Sequence, residues 1–370
     1  MFDRVKISMI IPVYNIRDYI AKCLDSVCRQ RYADIEILIV DDCSTDGSGD
    51  ICDRYAREDK RIKVIRHTRN MGLSAARNTG MENATGNFYM FVDGDDWIDS
   101  ELCQNAAAIL KANQAKADTV HWGYRCVNEE GEQKENVKPI MYPQNIIVPP
   151  QIFDDFMSTL VVSLKDLNNW FASGKSYYEA IHSRKQMATV WRYLLSAEVI
   201  RKNGLQFSLH AGRGEDIVFM LSYLQLCKGI INLDTENAYF YQQREGSLIT
   251  DQNNISKKIE LIEAMEETVR FAPDNRKEEL RDKWRGQRIL VVMNTARRLA
   301  KVSSFIAGYR DYAKVAKHPI SQDAVKRLRI KNIPFKYKIA IGLIKYRMYF
   351  LFWLCIYLMQ KLHIDMAPMD

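Results

Sequence analysis

The sequence predicts an α/β fold with a mainly parallel sheet, and three observations point to it. Short apolar runs alternate with segments of helical periodicity between residues 7 and 125. The runs are four to seven residues long, which suits strands better than helices. Polar side chains directly follow several of the runs. Alternating strands and helices favour a parallel sheet covered on both faces, and such sheets bind ligands beyond the carboxyl ends of their strands.

The predicted elements of this region follow one another with short connections. An apolar run supplies each strand, and apolar residues three or four positions apart supply each helix. The predicted strands are Ile7–Val13, Ile35–Val40, Ile62–Ile65, Phe88–Val92 and Thr119–Arg125. The predicted helices are 16–30, Ser48–Arg57, Ser74–Ala84 and Leu102–Ala112.

The pattern weakens after residue 125 and becomes helical after residue 250. Four prolines punctuate 126–185, where 151–165 looks helical. Helices are predicted at 196–203 and 217–227, a strand at Ala238–Gln242, and helices throughout 255–325, which is rich in Lys, Arg, Glu and Ala. We expect a sheet domain over 1–250 with an excursion over its site at 126–185, a helical region at 251–335, and a tail at 336–370.

Composition narrows the class of protein. The 370 residues carry a net charge of +7, which suits an anionic ligand or a membrane surface. The eight cysteines include no Cys-x-x-Cys pair, so a zinc site is not expected. We expect them to be reduced thiols of a cytosolic protein. The first residues lack a signal-peptide layout.

An acidic cluster, Asp93-Gly94-Asp95-Asp96, follows the buried run Phe88–Val92. Carboxylates this close repel one another, by about 1 kcal/mol per pair at 4 Å in water and by more near a protein surface. A cation would relieve this repulsion, and oxygen ligands suit Mg²⁺ or Mn²⁺ bound together with a substrate diphosphate. The alternative is an acidic turn before the next helix, with Asp99 or Ser100 as its N-cap.

Other predicted strand ends also carry polar groups. Asp41 and Asp42 end the second strand, where a carboxylate can accept hydrogen bonds from a base or a ribose. Ser44 and Asp46 are better explained as caps of the helix that follows. Farther along, Arg77 belongs to the cluster Asn70-x-Gly72-x-x-x-Ala76-Arg77-Asn78-x-Gly80, where it can meet an anion or the base. Tyr14 ends the first strand and is able to stack on a base.

A second acidic pair, Glu215-Asp216, follows the glycine turn Gly212-Arg213-Gly214. It can favour the start of a helix through the helix dipole, or place one carboxylate in a cleft as a general base. The chain has no P-loop, and its Gly-x-Gly segments do not follow the first strand. A dehydrogenase or a P-loop NTPase is therefore disfavoured.

The tail combines basic and apolar character. Between Lys326 and Arg347 there are eight basic residues and no acidic one. The apolar run Met348–Met359 that follows has 12 residues, fewer than the roughly 20 needed to span a bilayer. A basic, aromatic-rich helix of this kind is typical of a cytoplasmic membrane interface. The alternative is a helix packed on the domain or on another subunit.

Taken together, the motifs carry a family resemblance. Their order and rough spacing are similar to those of family 2 glycosyltransferases of the bacterial surface-polysaccharide type, which are inverting enzymes with the nucleotide-sugar-binding GT-A fold. The resemblance is strong over 7–125 and extends to about 250. The motifs are Ile10-Ile11-Pro12-Val13-Tyr14-Asn15, Val40-Asp41-Asp42-x-Ser44-x-Asp46-Gly47, the Asn70–Gly80 cluster, Asp93-Gly94-Asp95-Asp96, Trp191-Arg192, Glu215-Asp216 and Tyr241-x-x-Arg244-x-Gly246-Ser247.

The resemblance implies a role for each matching residue. Asp95 and Asp93 would ligate Mg²⁺ or Mn²⁺, and Asp96 would shape the turn or reach the acceptor sugar. Asp216 would be the general base, with Glu215 beside it. The set implied to bind the nucleotide is Pro12, Tyr14, Asp41, Asp42, Asn70, Arg77, Asp93 and Gly94.

The activity implied by the resemblance is transfer of a sugar from a nucleotide sugar, expected to be UDP-linked, to a glycan in capsule, O-antigen or exopolysaccharide synthesis. The segment 126–185 would lie on the acceptor side. The basic, apolar tail suggests a lipid-linked acceptor and a peripheral position on the inner face of the cell membrane, and no nucleic-acid partner is expected. Two alternatives are a nucleotidyltransferase and a non-catalytic nucleotide-sugar-binding protein. The first would usually have a glycine-rich basic loop where this chain has Tyr14-Asn15-Ile16-Arg17.

Overall fold

The protein folds into two compact units, each with its own hydrophobic core. The computed structural model describes residues 4–128, 132–137, 145–149, 151–173, 188–211, 214–235, 237–243, 255–328 and 335–362. The sheet unit comprises Met1–Phe153, Thr189–Leu209 and Phe219–Leu248. The helical unit comprises Asp154–Ala188, His210–Val218 and Ile249–Asp370.

The sheet unit contains an eight-stranded mixed sheet and a four-stranded sheet. Their strand orders are β3-β2-β1-β4-β10-β6-β11-β9 and β5-β12-β7-β8. Strands β1 to β4 of the large sheet are parallel, whereas β10 runs antiparallel to both β4 and β6. The strands are β1 Ile7–Val13, β2 Ile35–Asp41, β3 Ile62–Arg66, β4 Phe88–Phe91, β5 Trp97–Ile98, β6 Thr119–Trp122, β7 Tyr124–Val127, β8 Gln133–Val137, β9 Ile146–Ile147, β10 Tyr193–Ser196, β11 Ile230–Leu233 and β12 Tyr239–Gln242.

Helices with one apolar face connect strands of the sheet unit, and further helices form the helical unit. The helix α1, for example, buries Ile20, Leu24 and Val27 at the spacing of one helical face. The helices are α1 Arg17–Cys28, α2 Ser48–Glu58, α3 Leu73–Asn83, α4 Leu102–Asn113, α5 Met157–Leu160, α6 Leu164–Ser173, α7 Ala197–Lys202, α8 Glu215–Leu224, α9 Ile255–Glu267, α10 Lys277–Val302, α11 Phe305–Ala316, α12 Pro319–Lys326, α13 Phe335–Lys345 and α14 Tyr349–Lys361.

Two predictions about secondary structure are wrong, and some strands were missed. The single strand predicted over Thr119–Arg125 is two strands, β6 and β7, in different sheets. Gly123 lies between them, and its N–H donates to the carbonyl of Thr235 at 3.0 Å. Strands β10 and β11 were not predicted. The helix predicted over 151–165 is a π-helical turn at Ile152–Phe156 followed by the short α5 and, after a break, α6.

The helical unit joins the predicted helical region and the tail in one core. Helix α6 belongs to this core through Leu167, Trp170 and Phe171, so the units have different borders from the predicted domains. In α14, Phe352, Trp353 and Ile356 are buried in the same core. The tail therefore packs on protein along one face, as the alternative prediction held. No helix in the part of the chain that the structure describes is long and apolar enough to cross a membrane.

Candidate active site

The carboxyl ends of β1, β2 and β4 meet at one edge of the large sheet. Val13 pairs with Asp41, and the N–H of Asp42 donates to the carbonyl of Val13 at 2.8 Å. On the other side of β1, the N–H of Val92 donates to the carbonyl of Ile10 at 3.1 Å. This register places the predicted polar strand ends side by side, as expected for parallel strands.

The acidic turn after β4 is pressed against the end of β1. A Cβ atom added at Gly94 would lie 3.0 Å from the carbonyl oxygen of Pro12 and 2.5 Å from the Cδ1 of Ile16, so glycine is required for this approach. The N–H of Asp96 closes the turn on the carbonyl of Asp93 at 3.0 Å. Asp93 and Asp95 are half-buried, whereas Asp96 is buried. The turn thus presents two of its three carboxylates toward solvent.

Arg77 on α3 holds Asp93 in place. Its Nη2 donates to Oδ1 of Asp93 at 2.9 Å, and its guanidinium lies 5.2 Å from the ring centroid of Phe207. Asn78 fixes that ring in turn, because its side chain exchanges two backbone hydrogen bonds with Phe207 at 2.8 and 2.9 Å. Arg77 is buried, so its observed function is to offset the charge of Asp93. The predicted contact of Arg77 with a ligand stays a prediction.

Asp96 anchors the acidic turn to strand β12 through buried hydrogen bonds. Its Oδ2 accepts a hydrogen bond from the hydroxyl of Tyr239 at 2.7 Å, and its Oδ1 accepts from the N–H of Gln242 at 2.8 Å. The hydroxyl of Tyr239 also accepts from the N–H of Asp93 at 3.1 Å. Burial, together with the nearby carboxylates of Asp95 and Asp93, raises the pKa of Asp96 well above its ordinary value. Asp96 therefore shapes the turn, and its burial contradicts the suggested contact with an acceptor sugar.

Removing the hydroxyl of Tyr239 tests this support. We expect Tyr239→Phe to lower the free energy of unfolding by about 2 kcal/mol, because the buried Asp96 and the N–H of Asp93 each lose a partner. Denaturant unfolding measures this change. The matched control is Tyr241→Phe, since Tyr241 lies on the same strand and stacks on Trp191, and its hydroxyl forms no hydrogen bond within the part of the chain that the structure describes. Equal destabilisation by both changes would contradict the support of the turn by Tyr239.

Asp42 orders the loop between β3 and α3. Its Oδ1 accepts from the N–H of Met71 at 2.8 Å and lies 2.6 Å from Nδ1 of His67. Its Oδ2 accepts from the N–H of Gly72 at 2.6 Å, and Gly72 has the positive φ of 88°. Nε2 of His67 in turn lies 2.9 Å from the hydroxyl of Thr79. These contacts give Asp42 a structural function, and the predicted contact with a base stays a prediction.

Asp42→Ala tests this function. We expect it to lower the free energy of unfolding by about 3 kcal/mol, because two backbone N–H groups and His67 lose their acceptor. Asp50→Ala serves as the control, since Asp50 is exposed on α2, and a change there should stay within about 1 kcal/mol. Urea unfolding compares the two variants. A similar small loss in both would show that the loop does not depend on Asp42.

Asp46 caps the starts of two helices at once. Its Oδ2 accepts from the N–H of Arg17, the first residue of α1, and its Oδ1 accepts from the N–H of Ser48, the first residue of α2, both at 2.9 Å. Ser44 accepts from the N–H of Asn15 at 3.2 Å and does not cap α2. The predicted capping by Asp46 is confirmed, and the capping by Ser44 is wrong.

Four other predicted site residues lie in the sheet unit. Tyr14 is 46% exposed at the end of β1, which leaves its ring accessible to a ligand. Asp41 is buried and accepts from the N–H of Ser44 at 2.9 Å. Asn70 is exposed on the loop ordered by Asp42. Pro12 is buried within β1.

Glu215 and Asp216 form the first turn of α8. This stretch belongs to the helical unit, whereas Asp93 and Asp95 belong to the sheet unit. Glu215 is buried and Asp216 is half-buried. The predicted function of Asp216 as general base stays a prediction.

The donor chemistry of Asp93 and Asp95 fits a Mg²⁺ or Mn²⁺ ion. Both side chains offer carboxylate oxygens at a half-buried position, and Arg77 bonds one oxygen of Asp93. Among the described residues, no group of three or more His, Cys, Asp or Glu side chains is arranged to hold a metal ion. Such an ion would therefore need additional ligands, and Mg²⁺ commonly takes these from water and substrate phosphates. The metal stays a prediction.

Comparisons with known proteins identify the family. Residues 8–168 match the model of glycosyl transferase family 2. The chain is also 33% identical over 191 residues to the putative teichuronic acid biosynthesis glycosyltransferase TuaG of Bacillus subtilis. The aligned region covers 51% of this chain and 71% of TuaG. The chain belongs to glycosyl transferase family 2. Its sequence resemblance to this family is thereby confirmed.

Two further relatives of this family 2 chain are longer than the matched region. It is 32% identical over 242 residues to the uncharacterized glycosyltransferase EpsJ of Bacillus subtilis. The aligned region is 65% of this chain and 62% of EpsJ. It is 34% identical over 244 residues to the glycosyltransferase GlyA of Streptococcus pneumoniae. The aligned region is 66% of this chain and 31% of GlyA. The match thus spans less than two thirds of either relative.

A solved structure agrees with the fold of the family 2 chain. Residues 1–349 of S. aureus TarS align with a TM-score of 0.64 and 16% identity, covering 98% of this chain and 93% of TarS 1–349. The same fragment has been solved in complex with UDP-GlcNAc, with a TM-score of 0.62 and 18% identity over 97% of this chain and 92% of the fragment. This likeness confirms the predicted GT-A fold.

Proposed function

We propose that this family 2 chain transfers a sugar from a nucleotide sugar to a hydroxyl of a glycan acceptor, with inversion at the anomeric carbon. The turn Asp93–Asp96 carries the proposal, because it presents two half-buried carboxylates at the end of β4. The similarity to the glycosyltransferases EpsJ, GlyA and TuaG supports sugar transfer, and the name of TuaG, a putative teichuronic acid biosynthesis glycosyltransferase, supports a cell-surface polysaccharide as product. The UDP-GlcNAc complex of TarS supports a UDP-linked donor.

The residues of the chain would divide the reaction between them. Arg77 fixes Asp93, so that the Asp93–Asp95 pair faces the donor diphosphate. A Mg²⁺ or Mn²⁺ ion, when bound there, neutralises charge that grows on the leaving nucleoside diphosphate. Asp216 accepts the proton of the acceptor hydroxyl. At the same time, the oxygen of that hydroxyl attacks the anomeric carbon from the face opposite the leaving group. A single displacement of this kind inverts the configuration. Family membership argues against the nucleotidyltransferase alternative.

A ligand screen tests the donor part of this proposal. We expect UDP or a UDP-sugar with Mn²⁺ to raise the melting temperature, since a ligand at 100 times its Kd stabilises the folded state by about 2.7 kcal/mol. Differential scanning fluorimetry with uridine, guanosine and thymidine diphosphate sugars measures this shift. Absence of stabilisation by every nucleotide sugar would contradict the proposal.

The proposal includes peripheral contact of the helical unit with the inner face of the cell membrane, where a lipid-linked acceptor would lie. Three apolar side chains of α14 support it, because Phe350, Leu351 and Leu358 are 45%, 39% and 49% exposed. Lys361 and Arg347 flank them and are also exposed. Exposed apolar residues beside basic ones favour an anionic bilayer surface.

Vesicle flotation tests this contact. We expect the protein to float with phosphatidylglycerol vesicles, and the double variant Leu351→Gln, Leu358→Gln to float at least tenfold less, because about 0.8 kcal/mol is lost per CH₂ group kept out of the bilayer. Leu209→Gln is the control, since Leu209 is 61% exposed but belongs to the sheet unit. Equal flotation of both variants would contradict contact through α14.

A further inference from the structure

Two aromatic rings stack beside the acidic turn of the sheet unit. Trp97 follows Asp96 directly and pairs with Phe240 on the neighbouring strand β12. The two ring centroids lie 5.4 Å apart, and the angle between the ring planes is 6°. Both side chains are only half-buried. Because β12 also bonds the carboxylate of Asp96, the stacked rings are held at a fixed position relative to the acidic turn.

A cation lies on each side of the stacked rings. Nζ of Lys22 on α1 lies 3.1 Å from the ring centroid of Trp97, which is a cation–π contact. On the other side, Arg125 of β7 is the register partner of Phe240. Residues in register on neighbouring strands lie about 5 Å apart and point to the same face of a sheet. Lys22, Trp97, Phe240 and Arg125 thus form a row across the small sheet, which we call the aromatic–cation row.

The two cations of the row are left without an acidic partner. In the ranges that the structure describes, neither Lys22 nor Arg125 forms an ion pair or a hydrogen bond through its side chain. Lys22 is exposed. Arg125 is half-buried, and its Nε is buried without a hydrogen-bond partner, whereas neither of its Nη atoms is buried in this way. The end of the guanidinium can therefore reach an anion in solution.

The chemistry of the row matches a charged sugar polymer. Sugar rings present C–H groups, and these pack on aromatic rings because the ring carries partial negative charge on its face. The guanidinium of Arg125 can donate two parallel bonds to a carboxylate or a phosphate, and Lys22 adds a compact positive charge. A neutral glycan would leave both charges uncompensated. The net charge of +7 also favours an anionic ligand.

We propose that the aromatic–cation row binds the acceptor, and that this acceptor is an anionic glycan whose sugar units carry carboxylate or phosphate groups. The reacting hydroxyl would lie at the acidic turn, and the charged units behind it would lie along the row. The row crosses β5, β12 and β7 and so extends about 10 Å, which accommodates more than one sugar ring. The inference rests on the proposed function, because it takes the acidic turn as the place of sugar transfer.

Affinity electrophoresis of the full chain tests the row. The gel contains alginate oligomers, poly(glycerol phosphate) or neutral dextran, and slower migration measures binding. We expect one or both anionic polymers to retard the protein, and the tighter one identifies the recognised group as carboxylate or phosphate. Dextran should not retard it.

Variants assign this binding to the row. Lys22→Gln, Arg125→Gln should bind about tenfold more weakly, because two charge-assisted contacts are lost. The control Lys60→Gln, Lys111→Gln removes the same charge from exposed positions of the sheet unit and should stay within about twofold. Phe240→Leu keeps both cations but removes a ring, and we expect it to bind about threefold more weakly. Stabilisation by UDP with Mn²⁺ should be equal in all variants, which shows that they are folded.

Three outcomes would overturn the inference. Equal losses in the row variant and in its control would show that binding depends on overall charge alone. Retardation by dextran as strong as by the anionic polymers would remove the recognition of charge. Retardation by polyglutamate as strong as by either anionic polymer would assign the row to an acidic protein partner. Failure of the proposed function would differ from all three, because then no nucleotide sugar would stabilise the protein.

Discussion

Asp95→Asn should reduce sugar transfer about 10³-fold, which corresponds to roughly 4 kcal/mol of lost transition-state stabilisation. The side chain lies on a turn held by Arg77, Gly94 and Tyr239, so the change removes a charge without removing a structural contact of those residues. An amide is a weaker ligand for Mg²⁺ or Mn²⁺ than a carboxylate. We therefore also expect the Mn²⁺-dependent part of UDP binding to be lost.

Two measurements check this prediction. Isothermal titration of UDP with and without Mn²⁺ reports the metal-dependent binding, and product formation reports transfer. Glu82→Gln is the control, because Glu82 is exposed near the end of α3 and its loss should change neither quantity. Full transfer by Asp95→Asn, with Mn²⁺-dependent UDP binding intact, would remove Asp95 from the site.

Asp216→Asn should reduce transfer by about 10²- to 10⁴-fold, because an amide cannot accept the proton of the acceptor hydroxyl. Binding of UDP with Mn²⁺ should be unchanged, since the proposed function of Asp216 concerns the acceptor. The two variants, Asp95→Asn and Asp216→Asn, would thus separate donor binding from proton transfer. The measurement is transfer rate as a function of pH, together with titration of UDP.

Glu215 provides the comparison for Asp216. It is the adjacent residue of α8 and is buried, whereas Asp216 is half-buried. Glu215→Gln should therefore reduce transfer less than Asp216→Asn does. Transfer by Asp216→Asn at the unmodified rate, or a larger loss in Glu215→Gln, would move the base to another residue.

The parallel half of the large sheet was predictable because its central strands β1 and β4 are fully buried and β2 nearly so. The observed β1 has the predicted bounds Ile7–Val13, and β2 extends one residue beyond the prediction. Strand β10 has only four residues, Tyr193–Ser196, and follows a single 3₁₀ turn, so no alternation or turn signal separates it from a helix. Its pairing with β4 and β6 depends on tertiary contacts between segments distant in sequence.

The carboxylates of the candidate site were predictable, but their supports were not. Asp93 and Asp95 stand out because charges rarely follow a buried strand so closely. Tyr239 bonds Asp96 across 143 positions of sequence, and Phe207 meets Asn78 across 129. A tyrosine in a short apolar strand has the pattern of an ordinary core residue, so only the fold reveals that its hydroxyl supports the acidic turn.

The tail illustrates the limit of a one-dimensional pattern. Its apolar run predicted a membrane surface or a packed helix, and α14 has one face buried against protein and one face with exposed apolar residues. Trp353 is buried against the core, with Gly308 of α11 leaving room for its ring, whereas Leu358 is exposed. Helical periodicity separates two faces of α14, but the sequence alone does not indicate which face meets protein.

Release of nucleoside diphosphate from nucleotide sugars tests the central claim most directly. Purified protein is incubated with UDP-, GDP- and dTDP-linked sugars, with Mn²⁺ or with a chelator, and the released diphosphate is quantified by chromatography. We predict that a UDP-sugar yields UDP in the presence of Mn²⁺, that the chelator suppresses release, and that Asp95→Asn releases about 10³-fold less. Binding of nucleotide sugars without any release, even with a membrane extract supplied as acceptor, would contradict a transferase and favour a non-catalytic binding protein.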